Sequence, residues 1–371
     1  MEVKRCKRCI MPEEYPDITF NGEGICSYCT QNHGNTDNAN LLGKNKLIEL
    51  IRSAEKTGEF DCVVPLSGGK DSTYVLYYAV KELGLKPLAV TYDSGYRTQI
   101  AIDNVKNACD ALDVSCITKV AKKSIQDKLL RDSLRISETI GSFVLTCLSC
   151  GTLIKAIPIK VAKQHRVPFI FFGDSVRESV RLMKLKSRVE TAKYKDVRSN
   201  SLFTSMFETM SKLRSVHMTP LKFIRIIPRL ARYRLLTTYQ LLSLGVPFKN
   251  AIFPNLGSVV PKKGPQMIHF FDYIDWDPVE GIAVLERELR WKHPPDRISR
   301  FDCSMNCFGS YDAFQKGGIS GNGLIACNLI REGFMNREEA LEKEQLETHT
   351  LVEKCQSVIN EMGLDDFVFP H

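Results

Sequence analysis

Residues 61–74 read Asp61-Cys-Val-Val-Pro-Leu-Ser67-Gly68-Gly69-Lys70-Asp71-Ser72-Thr73-Tyr74, and they predict a strand, a tight glycine turn and a helix. Two adjacent glycines let the backbone approach an anion closely, and the first N–H groups of the following helix carry the positive end of its dipole. Hydroxyl and charged side chains surround these glycines: Ser67, Lys70, Ser72 and Thr73. The stretch therefore predicts a phosphate-binding loop, although a glycine pair also occurs in strand–helix turns for purely steric reasons.

Further apolar segments indicate the fold around this loop. Strands are predicted at 87–92, 114–118 and 167–172, and helices at about 44–57, 102–112, 122–138 and 156–164. Alternating strands and helices predict an open parallel sheet with helices on both faces, which binds ligands at the carboxyl ends of its strands. Asp93, Gly173 and Asp174 follow two of these strands, so we expect them near the loop.

The composition indicates a globular chain without a membrane span. It has 371 residues, is 43% apolar and shows neither an apolar run of ~18 residues nor the apolar core of a signal peptide. Its 13 cysteines cluster in close pairs, which favours reduced, metal-binding thiols over disulfides. We therefore expect a cytoplasmic protein.

Two Cys-x2-Cys pairs lie near the start of the chain: Cys6, Cys9, Cys26 and Cys29. Each pair places two thiolates on a tight turn, and four thiolates complete a tetrahedral zinc site without an open position. The sequence thus predicts a structural zinc ribbon and linker over 1–43, followed by a nucleotide-binding α/β domain over 44–176.

The charge is concentrated in one segment. The net charge is +8, and residues 177–249 hold 16 Lys and Arg against 4 Asp and Glu. We predict a basic helical insertion over 177–250 with amphipathic helices at 183–188 and 221–234. A solvated face, docking on an anionic membrane surface, and binding of a phosphate-rich ligand such as a nucleotide sugar or RNA all remain open. Membrane docking would make the protein peripheral to the inner membrane.

A second cysteine set comprises Cys147, Cys150, Cys303 and Cys307. A Cys-x2-Cys pair with a distant third cysteine, here Cys303, can hold an iron–sulfur cluster with one open iron. A second zinc site with all four thiolates, or simply reduced thiols, are the alternatives.

The string Ser67-Gly-Gly-Lys-Asp-Ser72 resembles the loop of the PP-loop ATP pyrophosphatases, whose fold is adenine-nucleotide hydrolase-like. Cys147 and Cys150 resemble the cluster-binding tRNA thiolases of that superfamily. The N-terminal cysteines, the loop, 268–276 and 331–341 resemble the N-acetyl sugar amidotransferase family, which acts in O-antigen (lipopolysaccharide) and flagellin-sugar pathways of Gram-negative bacteria.

That resemblance implies an ATP-dependent ligase that adenylates an acetamido oxygen and replaces it with ammonia, giving an acetamidino sugar, AMP and pyrophosphate. Ammonia would come from a partner glutaminase and synthase pair, and the sugar would be nucleotide-linked or lipid-linked. Pyrophosphate would bind Gly68, Gly69, Ser67 and Ser72, with Lys70 offsetting charge. Mg²⁺ would use Asp71 or Asp174, although Asp71 can equally be a structural residue of the helix N-terminus.

The implied site residues are catalytic Lys70, Asp71 and Asp174 and nucleotide-binding Ser67, Gly68, Gly69, Lys70, Asp71, Ser72, Asp93 and Gly173. Residues 251–371 would form a helical region that completes the substrate site. Cys303 and Cys307 add thiols that amidine formation does not need. A thiolase acting on tRNA or a small metabolite is therefore the alternative, and a non-catalytic scaffold for polysaccharide assembly is a third hypothesis.

Overall fold

The structure, a computed structural model, describes residues 4–31, 42–55, 58–143, 145–174, 220–246, 264–294 and 300–369. Within these residues the centre is one parallel sheet with the strand order β3-β2-β1-β4-β5. Its strands are β1 Cys62–Pro65, β2 Pro87–Asp93, β3 Cys116–Val120, β4 Phe169–Phe172 and β5 Gln266–His269. The predicted open parallel sheet is confirmed, and β5 was not foreseen from the sequence.

The described helices are α1 Ser27–Gln31, α2 Lys44–Ser53, α3 Lys70–Lys81, α4 Gln99–Leu112, α5 Lys123–Ile140, α6 Leu148–Gln164, α7 Pro220–Ser243, α8 Pro278–Leu289, α9 Asn306–Gly317, α10 Gly321–Glu332 and α11 Arg337–Glu361. Helix α4 begins three residues earlier than predicted because the Thr98 hydroxyl accepts the Ala101 N–H and caps it. Helix α11 is capped by Asn336, whose side chain accepts the Glu339 N–H at 2.8 Å.

The sheet lies between two helical layers because successive strand residues point to opposite faces. Val64 packs in a core with α3, α4 and α8, whereas Val63 packs with α6 and the end of α7. This doubly wound arrangement leaves the carboxyl ends of β1 and β4 side by side at the point where the strand order reverses.

The C-terminal helices form two further cores. Helices α9 and α11 pack against α5, with Leu134, Phe308 and Leu351 buried between them. The N-terminal cysteine segment packs instead against Leu324 of α10 and Ala340 of α11. Both ends of the described chain thus meet on one side of the molecule.

Part of the basic segment lies outside the described residues. The predicted helix at 183–188 falls in the undescribed range 175–219, whereas the one at 221–234 lies within α7. Much of the predicted linker, 32–41, is also outside, and the boundaries at 43, 176 and 250 stay predictions. Among the described residues, the helices are too short or too polar to cross a bilayer.

Candidate active site

The loop after β1 is held open by hydrogen bonds among its own residues. The Ser72 hydroxyl accepts the Ser67 N–H at 3.2 Å and donates to the Gly69 carbonyl at 3.2 Å. The Ser67 hydroxyl lies 3.2 Å from the Ser72 hydroxyl and accepts the Gly69 N–H at 3.3 Å. Gly69 then caps α3, whose first N–H groups face the end of the sheet. The arrangement presents two hydroxyls and a helix N-terminus to an incoming anion.

Gly68 determines the shape of this loop. Its φ is +91°, a left-handed value that glycine adopts without steric cost, and a Cβ there would lie 2.1 Å from the Ala101 carbonyl oxygen. Its own carbonyl accepts hydrogen bonds from Trp291 Nε1 at 2.9 Å and Asn104 Nδ2 at 3.3 Å. Residues of α4 and of the segment after α8 therefore clamp the loop from behind.

Arg97 braces the loop from the other side. Its Nη2 donates to the Ser67 carbonyl at 2.9 Å and to the Ala101 carbonyl at 3.2 Å. Burial lowers the pKa of Arg97, but a guanidinium keeps its charge at neutral pH. These hydrogen bonds place a permanent positive charge beside the backbone of the loop.

Lys70 and Asp71 form an ion pair at the start of α3. Lys70 is only 6% exposed, and its Nζ lies 3.1 Å from Asp71 Oδ2. A buried charge is tolerated where it is paired, so Asp71 compensates the ammonium in this state. A phosphate group at the loop would meet the same ammonium.

The loop opens into a cavity of about 790 Å³, a size typical of small-molecule sites. Its wall near the loop is formed by Ser67, Gly69, Lys70, Asp71, Ser72, Gly173 and Asp174. Gly173 approaches the loop closely, since a Cβ there would lie 3.1 Å from the backbone of Asp71 and Ser72. Most of the predicted nucleotide-binding residues thus line one space.

Two predicted residues lie elsewhere. Among the described residues, neither Gly68 nor Asp93 lines the cavity, whereas Ser94 does. Gly68 shapes the loop from the side that faces α4. The Asp93 carboxylate accepts the Gly95 N–H at 2.8 Å and so closes the turn after β2. Contact of either residue with a nucleotide stays a prediction.

The C-terminal segment completes the cavity. Cys303 pairs in antiparallel fashion with Arg97, and the Thr98 hydroxyl donates to the Phe301 carbonyl at 2.7 Å. The Ser304 N–H donates to the Tyr96 carbonyl at 2.9 Å. This pairing holds residues 300–306 against the loop after β2, more than 200 positions away along the chain.

Three thiols of the second cysteine set, those of Cys147, Cys150 and Cys303, line the cavity together with the loop. Gln126 Nε2 donates to Cys150 Sγ at 3.3 Å. Desolvation by neighbouring protein atoms raises the pKa of the Cys147 thiol, although this residue is exposed to the cavity. Burial likewise raises the pKa of the Cys303 thiol. Without a metal these two thiols are neutral near pH 7.

The fourth thiol of this set, Cys307, packs against the core between α5, α9 and α11, which also contains Cys355. Within the described residues, the four thiols of this set do not meet closely enough to bind one ion. A cluster distributes its cysteines over several irons, so three thiols facing one cavity fit its donor set better than a single zinc.

The N-terminal cysteines form a closed metal site. The ligand sulfurs of Cys6, Cys9, Cys26 and Cys29 all lie within 4.8 Å of one another, and all four residues are buried. The N–H groups of Cys9 and Cys26 donate to Cys6 Sγ at 3.5 and 3.3 Å. Four thiolates supported by backbone donors fit a tetrahedral structural zinc.

Helices α10 and α11 hold this ribbon in place. Arg337 Nε lies 3.1 Å from both the Cys6 and the Cys9 carbonyl oxygens, and Arg5 Nη2 donates to the Gly318 carbonyl at 3.1 Å. The ribbon is therefore packed against the C-terminal helices and is not a separate unit of the described residues.

His269 was not foreseen as a site residue. It is the last residue of β5, and its Nδ1 lies 2.6 Å from Asp174 Oδ1 at the edge of the cavity. A polar residue directly after the apolar residues Met267 and Ile268 was the signal available in the sequence.

The fold and site define an α/β protein with a glycine loop and a helix N-terminus at the switch point of its parallel sheet. No protein-family model matches the sequence. An uncharacterised protein of Methanocaldococcus jannaschii is 25% identical over 185 residues, which are 48% of this chain. This chain spans 63% of the length of that relative.

Among solved structures, the chain is similar to the U34-tRNA thiolase NcsA from Methanococcus maripaludis, which was solved with its [4Fe–4S] cluster. The likeness covers 92% of this chain and 89% of the thiolase, at 14% identity and a TM-score of 0.33. It is a distant similarity.

Proposed function

We propose that this protein is an ATP-dependent, AMP-forming enzyme that activates an oxygen of its substrate by adenylation. The observation that carries the proposal is the shared cavity: the glycine loop, Lys70 and the C-terminal segment all line it. Its volume of about 790 Å³ suits a nucleotide and part of a second substrate. The ordered loop argues against a purely structural scaffold.

The chemistry follows from the loop. The substrate oxygen attacks the α-phosphorus of ATP, and the bond to the β-phosphate breaks. Pyrophosphate departs toward the Gly69 end of α3, where N–H groups and the Lys70 ammonium stabilise its negative charge. A nucleophile then attacks the activated carbon, and AMP leaves with the oxygen. The loop thus accounts for activation, whereas the opposite wall of the cavity determines what attacks.

The finer form favoured by this cavity is sulfur transfer. Cys147, Cys150 and Cys303 line the same space as the loop, which is where a sulfur donor must act. These thiols would hold an iron–sulfur cluster, and such a cluster would supply an iron without a protein ligand. The substrate of this form is a tRNA or a small metabolite.

A second candidate is nitrogen transfer to the acetamido group of an N-acetyl sugar, with ammonia from a partner glutaminase. The specific observation in its favour is the ribbon: its four thiols are gathered as the most specific part of the family resemblance requires. A separate glutaminase would have to deliver ammonia into the cavity.

The two forms separate in one experiment. The protein is purified anaerobically, its iron and zinc are quantified, and AMP and pyrophosphate are measured with tRNA plus sulfide or with a nucleotide-linked N-acetyl sugar plus ammonia. Sulfur transfer predicts iron in the protein and loss of AMP release in Cys303→Ala. Nitrogen transfer predicts AMP release with the sugar that survives this substitution.

Cys109→Ala is the matched control, because Cys109 is buried in the core between the sheet and α4. It should leave either activity in place. Failure to bind ATP, together with no AMP release under both conditions, would refute the proposed function.

A further inference from the structure

A buried glutamine stands beside one thiol of the cavity. Gln126 lies near the start of α5, is completely buried and lines the cavity together with Cys150. Its Nε2 lies 3.3 Å from Cys150 Sγ, and its Oε1 accepts a hydrogen bond from the Tyr92 hydroxyl at 3.4 Å. A primary amide has donor hydrogens on its nitrogen and an acceptor oxygen, so it can bridge an acceptor and a donor. Gln126 therefore links the end of β2 to a thiol on α6.

The Tyr92 hydroxyl is held as the donor to this amide. Burial raises the pKa of Tyr92, so the hydroxyl keeps its proton at neutral pH. The ring packs against the apolar core between the sheet and α6, which fixes its position. A hydroxyl proton directed at Oε1 leaves Nε2 of Gln126 facing Cys150.

A metal-bound cysteine sulfur requires the same orientation of the amide. Such a sulfur carries no proton and only accepts hydrogen bonds. An amide oxygen turned toward it would meet its lone pairs and would leave the Tyr92 proton without an acceptor. Nε2 on the sulfur and Oε1 on the hydroxyl satisfy all three groups, whichever way the amide is turned in the metal-free protein. Because a buried amide without partners is costly, these two contacts hold Gln126 in place.

We propose that Gln126 is a positioning residue that donates to the sulfur of Cys150 and holds it as a ligand of the iron–sulfur cluster, with Tyr92 orienting the amide. This inference rests on the sulfur-transfer form of the proposed function. An N–H donor stabilises the negative charge of a ligating sulfur, and hydrogen bonds to the sulfurs are among the factors that set a cluster's reduction potential. Partners of this kind change metal affinity or activity by about 10- to 100-fold when they are removed.

The test measures two properties of the protein reconstituted anaerobically with iron and sulfide: the midpoint reduction potential of the cluster and the rate at which a chelator removes its iron. Gln126→Met keeps the length of the side chain and removes the donor. Tyr92→Phe keeps the ring and removes the proton that orients the amide. Ser133→Ala is the matched control, because Ser133 is a fully buried polar residue two turns further along α5 and donates to the Leu130 carbonyl. Circular dichroism and the zinc content of the N-terminal ribbon report whether each variant is folded.

We expect Gln126→Met to lower the midpoint potential, because the reduced cluster carries the more negative charge and loses a donor. Its iron should be removed about tenfold faster than in the wild type. Tyr92→Phe should shift both quantities in the same direction by a smaller amount. Because Tyr92 acts through Gln126, the double variant should equal Gln126→Met, and Ser133→Ala should equal the wild type.

Two outcomes would overturn the inference and leave the proposed function standing. One is a folded Gln126→Met protein with the potential and the iron-removal rate of the wild type. The other is an additive effect of Gln126→Met and Tyr92→Phe, which would mean that the hydroxyl does not act through the amide. A reconstituted wild type without iron would instead refute the sulfur-transfer form together with the inference, so the two failures are distinguishable.

Discussion

Replacing Gly68 by alanine should distort the phosphate loop from within. The left-handed φ of +91° costs an L-residue roughly 1–2 kcal/mol, and the new Cβ would lie 2.1 Å from the Ala101 carbonyl oxygen. The loop must therefore move and loosen the hydrogen bonds from Trp291 and Asn104 to the Gly68 carbonyl. At about 1 kcal/mol each, these losses bring the total to about 3 kcal/mol.

Gly69→Ala is the matched control for this prediction. Gly69 has a φ of −72°, and a Cβ there meets only the Ser67 hydroxyl at 3.4 Å, an ordinary contact. Its backbone suits alanine, so the stability should stay the same or rise by about 0.4–1 kcal/mol. The methyl group would nevertheless project beside the cavity and weaken ATP binding.

The assay compares denaturant unfolding with ATP binding for both variants. Gly68→Ala should lower the free energy of unfolding by about 3 kcal/mol. Where the loop alone moves to relieve the strain, the same free energy should instead weaken ATP binding by about two orders of magnitude. Gly69→Ala should lose ATP affinity without losing stability. A Gly68→Ala protein with the stability and ATP affinity of the wild type would refute this account of the loop.

Three further predictions concern the charges and the ribbon. Lys70→Ala should slow pyrophosphate release by about 10²- to 10³-fold with the fold intact by circular dichroism, because it removes the charge that stabilises the leaving group. Cys29→Ser should lose zinc and lower the melting temperature, whereas Cys147→Ser should keep its zinc; equal zinc content in both would contradict the ribbon site. Burial raises the pKa of Glu344, so its contribution to stability is present below the ordinary value of 4.5 and is lost as the pH rises through the folded value. Glu344→Gln should therefore flatten the fall in unfolding free energy between pH 4.5 and the raised pKa of Glu344 in the folded protein. Denaturant titrations across this pH range measure the change.

The sequence was sufficient for the sheet and the loop because both are local patterns. The strand–glycine–helix order at 62–81 and the apolar strand at 167–172 predict parallel strands, and the carboxyl ends of parallel strands lie at the same edge of a sheet. Strand β5 lacks the continuous apolar run of β4, because its four residues, Gln266–His269, begin and end with polar side chains. The meeting of Cys303 with Cys150 in one cavity depends on pairing between segments about 200 residues apart, which no local pattern encodes. His269 was missed for the same reason, since its significance comes from the neighbouring strand.

The ribbon has a consequence for how this chain is made. Arg337 donates to the Cys6 and Cys9 carbonyls, and Arg5 to that of Gly318, so these contacts join residues more than 300 positions apart. During synthesis the ribbon leaves the ribosome before α10 and α11, so its apolar side lacks these partners until residues near 340 have emerged. Domains made early usually fold as they appear, and apolar surface exposed for that long invites aggregation. Zinc uptake by the nascent ribbon would shorten this vulnerable interval, so the yield of soluble protein should depend on zinc supply during expression.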